Sequence, residues 1–277
     1  MTLVPMAEIA TPAAAADQGL GAFNVILLEH AEGVVAGAER AKRPVVLQIS
    51  QNTARYHGAL GPIALACLRI AESATVPVCV HLDHATEPAL VEEAVGLGIP
   101  SVMIDASRLP YQANVEQTAT LTRWCHERGV WVEAELGEVG GKAGAHAPGV
   151  RTDPDEAVAF VSATDVDALA VAVGSTHAMR SRTAVLDDEL IATLASVVPV
   201  PLVLHGSSGV PDDGLRCAVA KGIAKVNIAT HLNGVLAAAV RQALAANADL
   251  VDPRKYLGPG RDAVTEEVAR LLKLLAP

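Results

Sequence analysis

A (β/α)8 barrel with a C-terminal helical extension is the fold this sequence predicts, on three observations. Short β-branched runs, eight in all, alternate with Ala/Leu/Glu-rich segments along 277 residues. The runs are almost wholly apolar rather than alternating, as parallel strands covered on both faces must be. No linker, low-complexity run or short repeat divides the chain, and one barrel takes ~250 residues, so residues 1–277 read as a single domain. The rival, a doubly wound sheet, lacks its usual support, because no GxGxxG follows the first run.

The eight expected strands are 21–25, 44–50, 76–82, 101–104, 130–136, 168–174, 202–205 and 225–228. Helices are expected between them. Residues 29–42 are rich in Ala and Glu, and 87–97 carry Pro88 early, where a helix tolerates it. Segment 112–128 places Val115, Ala119 and Thr122 on one face and stops at Gly129. Segment 154–163 follows Asp153, a residue type that caps helix starts. Segments 187–196, 211–221 and 231–247 complete the alternation, and an Arg/Leu-rich helix follows Asp252-Pro253-Arg254.

Composition narrows the function. Hydrophobic residues make up 51% and charged residues 19%, enough apolar material for a large core. Aromatics are only 3%, so Ala, Val, Leu and Ile must build it. A net charge of −10 without any basic stretch makes nucleic acid and anionic membranes poor partners. No window is apolar for the ~18 residues a membrane span requires. The opening Met-Thr-Leu-Val-Pro-Met-Ala-Glu does not read as a signal peptide, so a cytoplasmic protein is expected. Cys67, Cys79, Cys125 and Cys217 form no CxxC and read as four buried thiols.

In a barrel the active site lies where the strands end. The residues there are Asn24, Ser50, Asp83-His84, Asp105, Glu135, His177, His205 and Asn227, so every strand delivers a polar group. A lone histidine at a strand end is more often a packing residue. Three at the same end, beside an Asp and a Glu, suit a catalytic zinc, which keeps three protein ligands and an open position. His81, two residues before Asp83, shares its strand face and reads either as support beneath the site or as core packing. His30, His57, His126 and His231 fall on helices or loops and read as surface or packing residues. The last two units carry phosphate signals: His205-Gly206-Ser207-Ser208-Gly209 and Asn227-Ile228-Ala229-Thr230. Phosphate commonly binds after strands seven and eight of this fold, on backbone N–H groups and a helix start. The spacing of Gly206 and Gly209 is one residue short of a GxSxG elbow, which argues against a serine hydrolase.

Taken together, the motifs resemble the class II, zinc-dependent ketose-bisphosphate aldolases, the fructose- and tagatose-bisphosphate type, and are most similar to the shorter, tagatose-like branch. They are Ala22-Phe23-Asn24-Val25, His81-Leu82-Asp83-His84, the run from Ser101 to Ser107, Glu133-Ala134-Glu135-Leu136-Gly137, Gly174-Ser175-Thr176-His177, the His205 turn, and Asp252 to Leu257. Their order and spacing cover nearly the whole chain.

The resemblance implies a (β/α)8 lyase that reversibly cleaves a ketose 1,6-bisphosphate to dihydroxyacetone phosphate and an aldehyde phosphate. His84, His177 and His205 would hold Zn2+, with Asp105 and Glu135 as supporting or alternative ligands. Asp83 would be the acid/base on the hydroxyl whose C–C bond breaks. Asn24 and Ser50 would contact substrate, while Gly206, Ser207, Ser208, Asn227, Ala229 and Thr230 would cradle dihydroxyacetone phosphate. Arg254 would bind the far phosphate, in an arrangement that admits its coming from a neighbouring subunit of a homodimer or homotetramer. A monovalent cation is a further ion the sequence leaves open. No Schiff-base lysine is required: Lys142, Lys221, Lys225 and Lys255 read as loop or strand-start residues, with Lys225 expected at the wrong end of the barrel.

Two segments depart from the family pattern. After Gly140-Gly141 the family carries a loop Glu that protonates carbon, whereas here no acid occurs between Lys142 and Gly149. Glu138 and His146 are the residues offered in its place. His177-Ala178-Met179-Arg180 replaces the family's usual Gly and aromatic. Both departures leave room for an aldolase with a different sugar-phosphate or aldehyde acceptor, for a zinc-dependent isomerase or epimerase, or for a homologue that binds ligand without turnover.

Overall fold

The computed structural model describes residues 2–136, 151–177 and 179–276. Eight parallel strands, β1 (Leu20–Asn24), β2 (Val45–Ser50), β3 (Val78–Ala85), β4 (Ser101–Ile104), β5 (Trp131–Leu136), β6 (Ala168–Val171), β7 (Leu202–Leu204) and β8 (Ile223–Ile228), pair in chain order. β1 pairs with β8, Leu20 opposite Lys225, and closes the barrel. The (β/α)8 expectation therefore holds.

Helices α1 (Ala7–Ala15), α2 (Leu28–Ala41), α3 (Gln51–His57), α4 (Gly61–Ser73), α5 (Pro88–Gly96), α6 (Tyr111–His126), α7 (Pro154–Thr164), α8 (Asp188–Val197), α9 (Asp212–Ala220), α10 (Thr230–Ala246) and α11 (Arg254–Leu275) connect and surround the strands. Local chemistry sets their ends. The Asp153 carboxylate accepts the N–H groups of Asp155 and Glu156, capping α7 as expected. The Ser50 hydroxyl accepts the N–H of Thr53 at the start of α3. None of the described helices is long and apolar enough to cross a membrane.

Three helices escape the sequence reading. α1 carries Pro12 inside it and lacks a capping side chain, so Glu8 in its first turn is a weak start signal. It is held instead by packing: Met6, Ile9 and Ala10 meet Leu20, Ala22, Val46 and Cys79. α3 and α4 lie in a stretch read only as a connection; α3 is a single short segment and α4 begins at Gly61-Pro62. Several strand bounds also move, among them the start of β3, at Val78 rather than 76, and the end of β6, at Val171 rather than 174. β3 runs on to Ala85, and β8 begins at Ile223, which puts Lys225 in mid-strand with its side chain buried. Of the four thiols, Cys67, Cys79 and Cys125 are buried; Cys217 is only half-buried, its Sγ 3.1 Å from Asp188.

α11 clasps the seam. Gly33 and Gly37 let it approach α2, since a Cβ on either would stand 2.9 Å from the Arg261 carbonyl and 2.8 Å from that of Thr265. The Gly19 N–H donates to the Leu275 carbonyl at 2.8 Å, and the Arg43 guanidinium donates to Ala276 at 2.7 Å.

Candidate active site

Polar residues at the C-terminal ends of the strands converge on one mouth, a cavity of about 150 Å³. Asn24, Ser50, Asp83, His84, His177, Gly206, Ser208, Asn227, Ala229 and Thr230 line it, as does Asn52. All but Asn52 are legible as strand-end or following-turn residues. Asn52 sits on α3, a helix the sequence reading did not include.

Adjacent side chains on a regular strand point to opposite faces, yet Asp83 and His84 both reach the mouth. The cause is an irregularity in β3. Its register with β4 shifts between Leu82 and Ala85, and His84 takes φ +53°. A bulge of this kind re-aims one side chain. A non-glycine residue at positive φ costs roughly 1–3 kcal/mol, which the surrounding structure must offset.

Three imidazoles meet edge to face. The ring centroids of His84 and His205 are 4.7 Å apart, His84 and His177 5.2 Å, His177 and His205 5.7 Å. The nitrogens of His84 and His205 have defined directions. His84 Nδ1 lies 2.8 Å from Asp105 Oδ2, and Asp105 Oδ1 accepts the Ser107 hydroxyl at 2.7 Å. That leaves His84 Nε2 facing the mouth, 3.9 Å from Asp83 Oδ1. His205 Nε2 lies 3.0 Å from Glu133 Oε1, and its Nδ1 3.2 Å from Glu135 Oε2. One ligand atom from each of His84, Glu135, His177 and His205 falls within 4.8 Å of the others. Three imidazoles and a carboxylate, the first oriented by an outer carboxylate, are a donor set suited to zinc. Asp105 lies behind His84 rather than in this cluster.

The site is strongly polarised. Burial raises the Asp83 carboxyl, but His84, His205, Lys225 and His81 outweigh it and hold it well below the usual carboxylate range. Burial likewise lowers His205, but hydrogen bonds to Glu133 and Glu135 prevail and raise it to about 9. His81 is buried, 2.7 Å from the Ser101 hydroxyl, and burial with the nearby Lys225 charge lowers it to about 3. It belongs beneath the site, one of its two expected readings.

One wall of the mouth is built from two turns. Gly206 has φ +67°, and the Ser208 hydroxyl accepts N–H groups of Ala229 and His231 where α10 begins. Ser207 differs from expectation: its hydroxyl donates back to the Leu204 carbonyl at 3.1 Å, and it does not line the mouth. A Cβ on Gly206 would stand 2.7 Å from the Thr176 carbonyl carbon. Gly206→Ala should therefore lower the melting temperature and raise KM for a phosphorylated substrate. A left-handed alanine alone costs about 1–2 kcal/mol. An unchanged KM would leave this turn no part in anion binding.

Other expected residues are not brought together. Arg254 is exposed, and its guanidinium grips Asp252 at 2.9–3.0 Å. It does not line the mouth. Arg180 lines a neighbouring groove that shares Ser208 and Thr230 with the mouth. Glu138, His146 and Ala178 lie outside the described residues. Lys225 corrects the sequence reading outright. Rather than facing the far end of the barrel, it is buried in the lumen, its Nζ bonded to Gln48, Glu133 and Asn227.

A parallel barrel whose strand ends gather imidazoles, carboxylates and a helix start around one mouth has the donors of a metal-binding enzyme site. Residues 4–276 match the family model described as fructose-bisphosphate aldolase class-II. The fructose-bisphosphate aldolase of Geobacillus stearothermophilus is 38% identical over 272 residues, 97% of this chain and 95% of that protein. That of Giardia intestinalis is 35% identical, covering 92% of this chain and 87% of its own. Among solved structures, the YdjI aldolase of Escherichia coli superposes with a TM-score of 0.87 at 32% identity, over 99% of this chain and 97% of that one. The chain belongs to the class II fructose-bisphosphate aldolase family. It is accordingly an aldolase, a carbon–carbon lyase.

Proposed function

We propose that the substrate is a ketose 1,6-bisphosphate of the fructose or tagatose type, cleaved reversibly with zinc held by His84, His177 and His205. The observation that carries this reading is the placement of Asp83 Oδ1 3.9 Å from His84 Nε2, at the edge of the ligand cluster. Zinc, when bound, supplies Lewis acidity toward the ketone and neighbouring hydroxyl oxygens. Glu135, within the cluster, is a fourth or alternating ligand, and Asp105 orients His84.

The chain's own residues account for the rest. Asn24 donates to Asp83 Oδ2 at 2.8 Å, so Oδ1 is the oxygen presented to substrate. It takes the proton from the hydroxyl next to the scissile bond; the C–O bond becomes a carbonyl as the C–C bond breaks, and the electron pair passes to the ketone half. Gly206, Ser208, Asn227, Ala229 and Thr230 hold the dihydroxyacetone phosphate end, with the start of α10 opposite its charge. Ser50 faces the aldehyde half. The ketone half then takes a proton at carbon, for which Glu138 and His146 are the residues available.

Trapping dihydroxyacetone phosphate from a panel of ketose mono- and bisphosphates, with and without added zinc, tests the reading. No such product from any member would refute it.

Arg254 is the residue for the far phosphate. Its exposure away from its own mouth suits a homodimer or homotetramer in which it serves a neighbour, in the cytoplasm. Arg254→Ala should raise KM for bisphosphates about tenfold or more, the worth of a charged hydrogen bond, and leave monophosphates unaffected. Equal losses on both would leave it a structural role.

One observation favours a different aldehyde half. A side cavity of about 590 Å³ shares Asn24, Ser50, Asn52 and Ala229 with the mouth. Its further walls are Ile26, Leu27, His30, Thr53, Tyr56, Asn233 and Leu236, with no Lys or Arg among the described lining residues. A bulky, uncharged aldehyde would fit there, and the same panel would reveal it as faster turnover of a monophosphate.

A further inference from the structure

We infer that Lys225, although it does not line the mouth, is a positioning residue for the aldol reaction, acting through a directed chain of hydrogen bonds in the barrel lumen. The inference rests on the reading of His205 as a zinc ligand and Asp83 as the acid/base.

An ammonium group has three N–H donors and no acceptor. Lys225 spends all three inside the barrel: on Gln48 Oε1 at 2.7 Å, Asn227 Oδ1 at 2.8 Å and Glu133 Oε2 at 2.9 Å. Lys225 is 3% exposed; Gln48 and Glu133 are fully buried. Because the lysine can only donate, it decides which way each partner faces.

The Gln48 arm runs to Asp83. With its carbonyl turned to Lys225, Gln48 presents its amide N–H, which donates to Asn24 Oδ1 at 3.1 Å. Asn24 must then present its own N–H, which donates to Asp83 Oδ2 at 2.8 Å. The polarity set at the lysine thus reaches Asp83 and reserves Oδ1, a buried oxygen with no hydrogen-bond partner, for the mouth. The Glu133 arm runs to His205. With Oε2 on the lysine, Oε1 takes His205 Nε2 at 3.0 Å and turns Nδ1 to the ligand cluster. The third arm is direct. Lys225 donates to the Asn227 side-chain oxygen Oδ1, so the Asn227 side-chain NH2 group is the one left for the mouth it lines.

One side chain therefore sets the acid/base, a ligand and a substrate contact from β8, touching none of the reacting atoms. A lumen needing only to be filled would be met as well by apolar side chains, since a buried ion pair is poor evidence of stabilisation in itself.

The test compares wild type, Gln48→Leu, Lys225→Met, Asn24→Ala and the double variant Gln48→Leu/Asn24→Ala. Zinc content, melting temperature, kcat and KM are measured on dihydroxyacetone phosphate release. Gln48→Leu removes one lysine acceptor and cuts the arm to Asp83, while the bonds of Lys225 to Glu133 and Asn227 remain. Its kcat should fall about 10- to 100-fold, the usual loss for an outer partner, with zinc content and KM unchanged. In the double variant kcat should equal that of Asn24→Ala alone, because Gln48 acts only through Asn24. Lys225→Met should lose at least as much as Gln48→Leu; if it fails to fold, the Gln48 variants decide. Wild-type kcat per zinc-loaded Gln48→Leu enzyme, or additive losses in the double variant, would overturn the inference and leave the functional reading standing. A wild-type enzyme that releases no dihydroxyacetone phosphate would overturn both.

Discussion

Asp83→Ala should slow the aldol reaction about 10²–10⁴-fold, the usual contribution of a positioned general acid/base. Bound zinc should be retained, because the ligand cluster is formed by His84, Glu135, His177 and His205 without it. The size of the effect follows from the setting. Asp83 is 3% exposed, one oxygen is occupied by Asn24, and the other faces the cluster. Water has little room to substitute for it. Asp83→Asn, which keeps the shape and loses the proton acceptor, should be nearly as slow. If Asp83 only braced the bulge in β3, both variants would lose stability with little change in kcat. Turnover, zinc content and melting temperature on the same samples separate these outcomes.

Removing the metal should abolish turnover and leave a folded barrel. The apolar strand residues pack against the surrounding helices independently of the histidines, so far-UV circular dichroism of a chelated sample should be unchanged. Added zinc should restore activity. Full turnover after chelation would refute a metal role, and unfolding would make the metal structural. The metal-free protein should also show a defined pH response. His205 is raised from 6.5 to about 9 in the fold, where Glu133 and Glu135 flank it. A raised histidine favours the fold fully below its unfolded value, and that contribution is lost as pH climbs through the folded value. Melting temperature without metal should thus decline from pH 6.5 toward 9. Over the same window zinc should bind more tightly, because the His205 proton has to leave first. A melting temperature and zinc affinity both flat across this range would remove His205 from the titration.

The barrel and most of its mouth are legible from residue patterns. Apolar β-branched runs at regular spacing have few homes other than a parallel sheet, and polar residues ending each run mark one face of it. What the pattern hides has physical reasons. Adjacent residues Asp83 and His84 look incompatible with one strand face, because the β3 irregularity that admits both is a backbone event with no composition of its own. α1 forms on packing rather than on propensity. Asn52 reaches the mouth from a helix too short to show a period.

Lys225 is the most instructive case. Its lumen position depends on β8 starting two residues earlier than the run 225–228 suggests. The signal was nonetheless present: Gln48, Glu133 and Lys225 are polar residues inside their strands, before the polar strand-end residues Ser50, Glu135 and Asn227. Three such residues are mutually satisfying only if the strands close on one another.

The α11 clasp has a consequence for the order in which the molecule assembles. Arg43 and Ala276 are 233 residues apart in sequence. Closing a flexible loop of that length costs about 5 kcal/mol of chain entropy. One hydrogen bond does not offset such a cost, whereas the β1–β8 ladder and the glycine-lined approach of α11 to α2 do so jointly. The first and last units of the chain are therefore expected to gain their stability together, once the barrel closes. Until then β1 and β8 are open edges with unpaired backbone groups, the state in which such a chain is most exposed to aggregation.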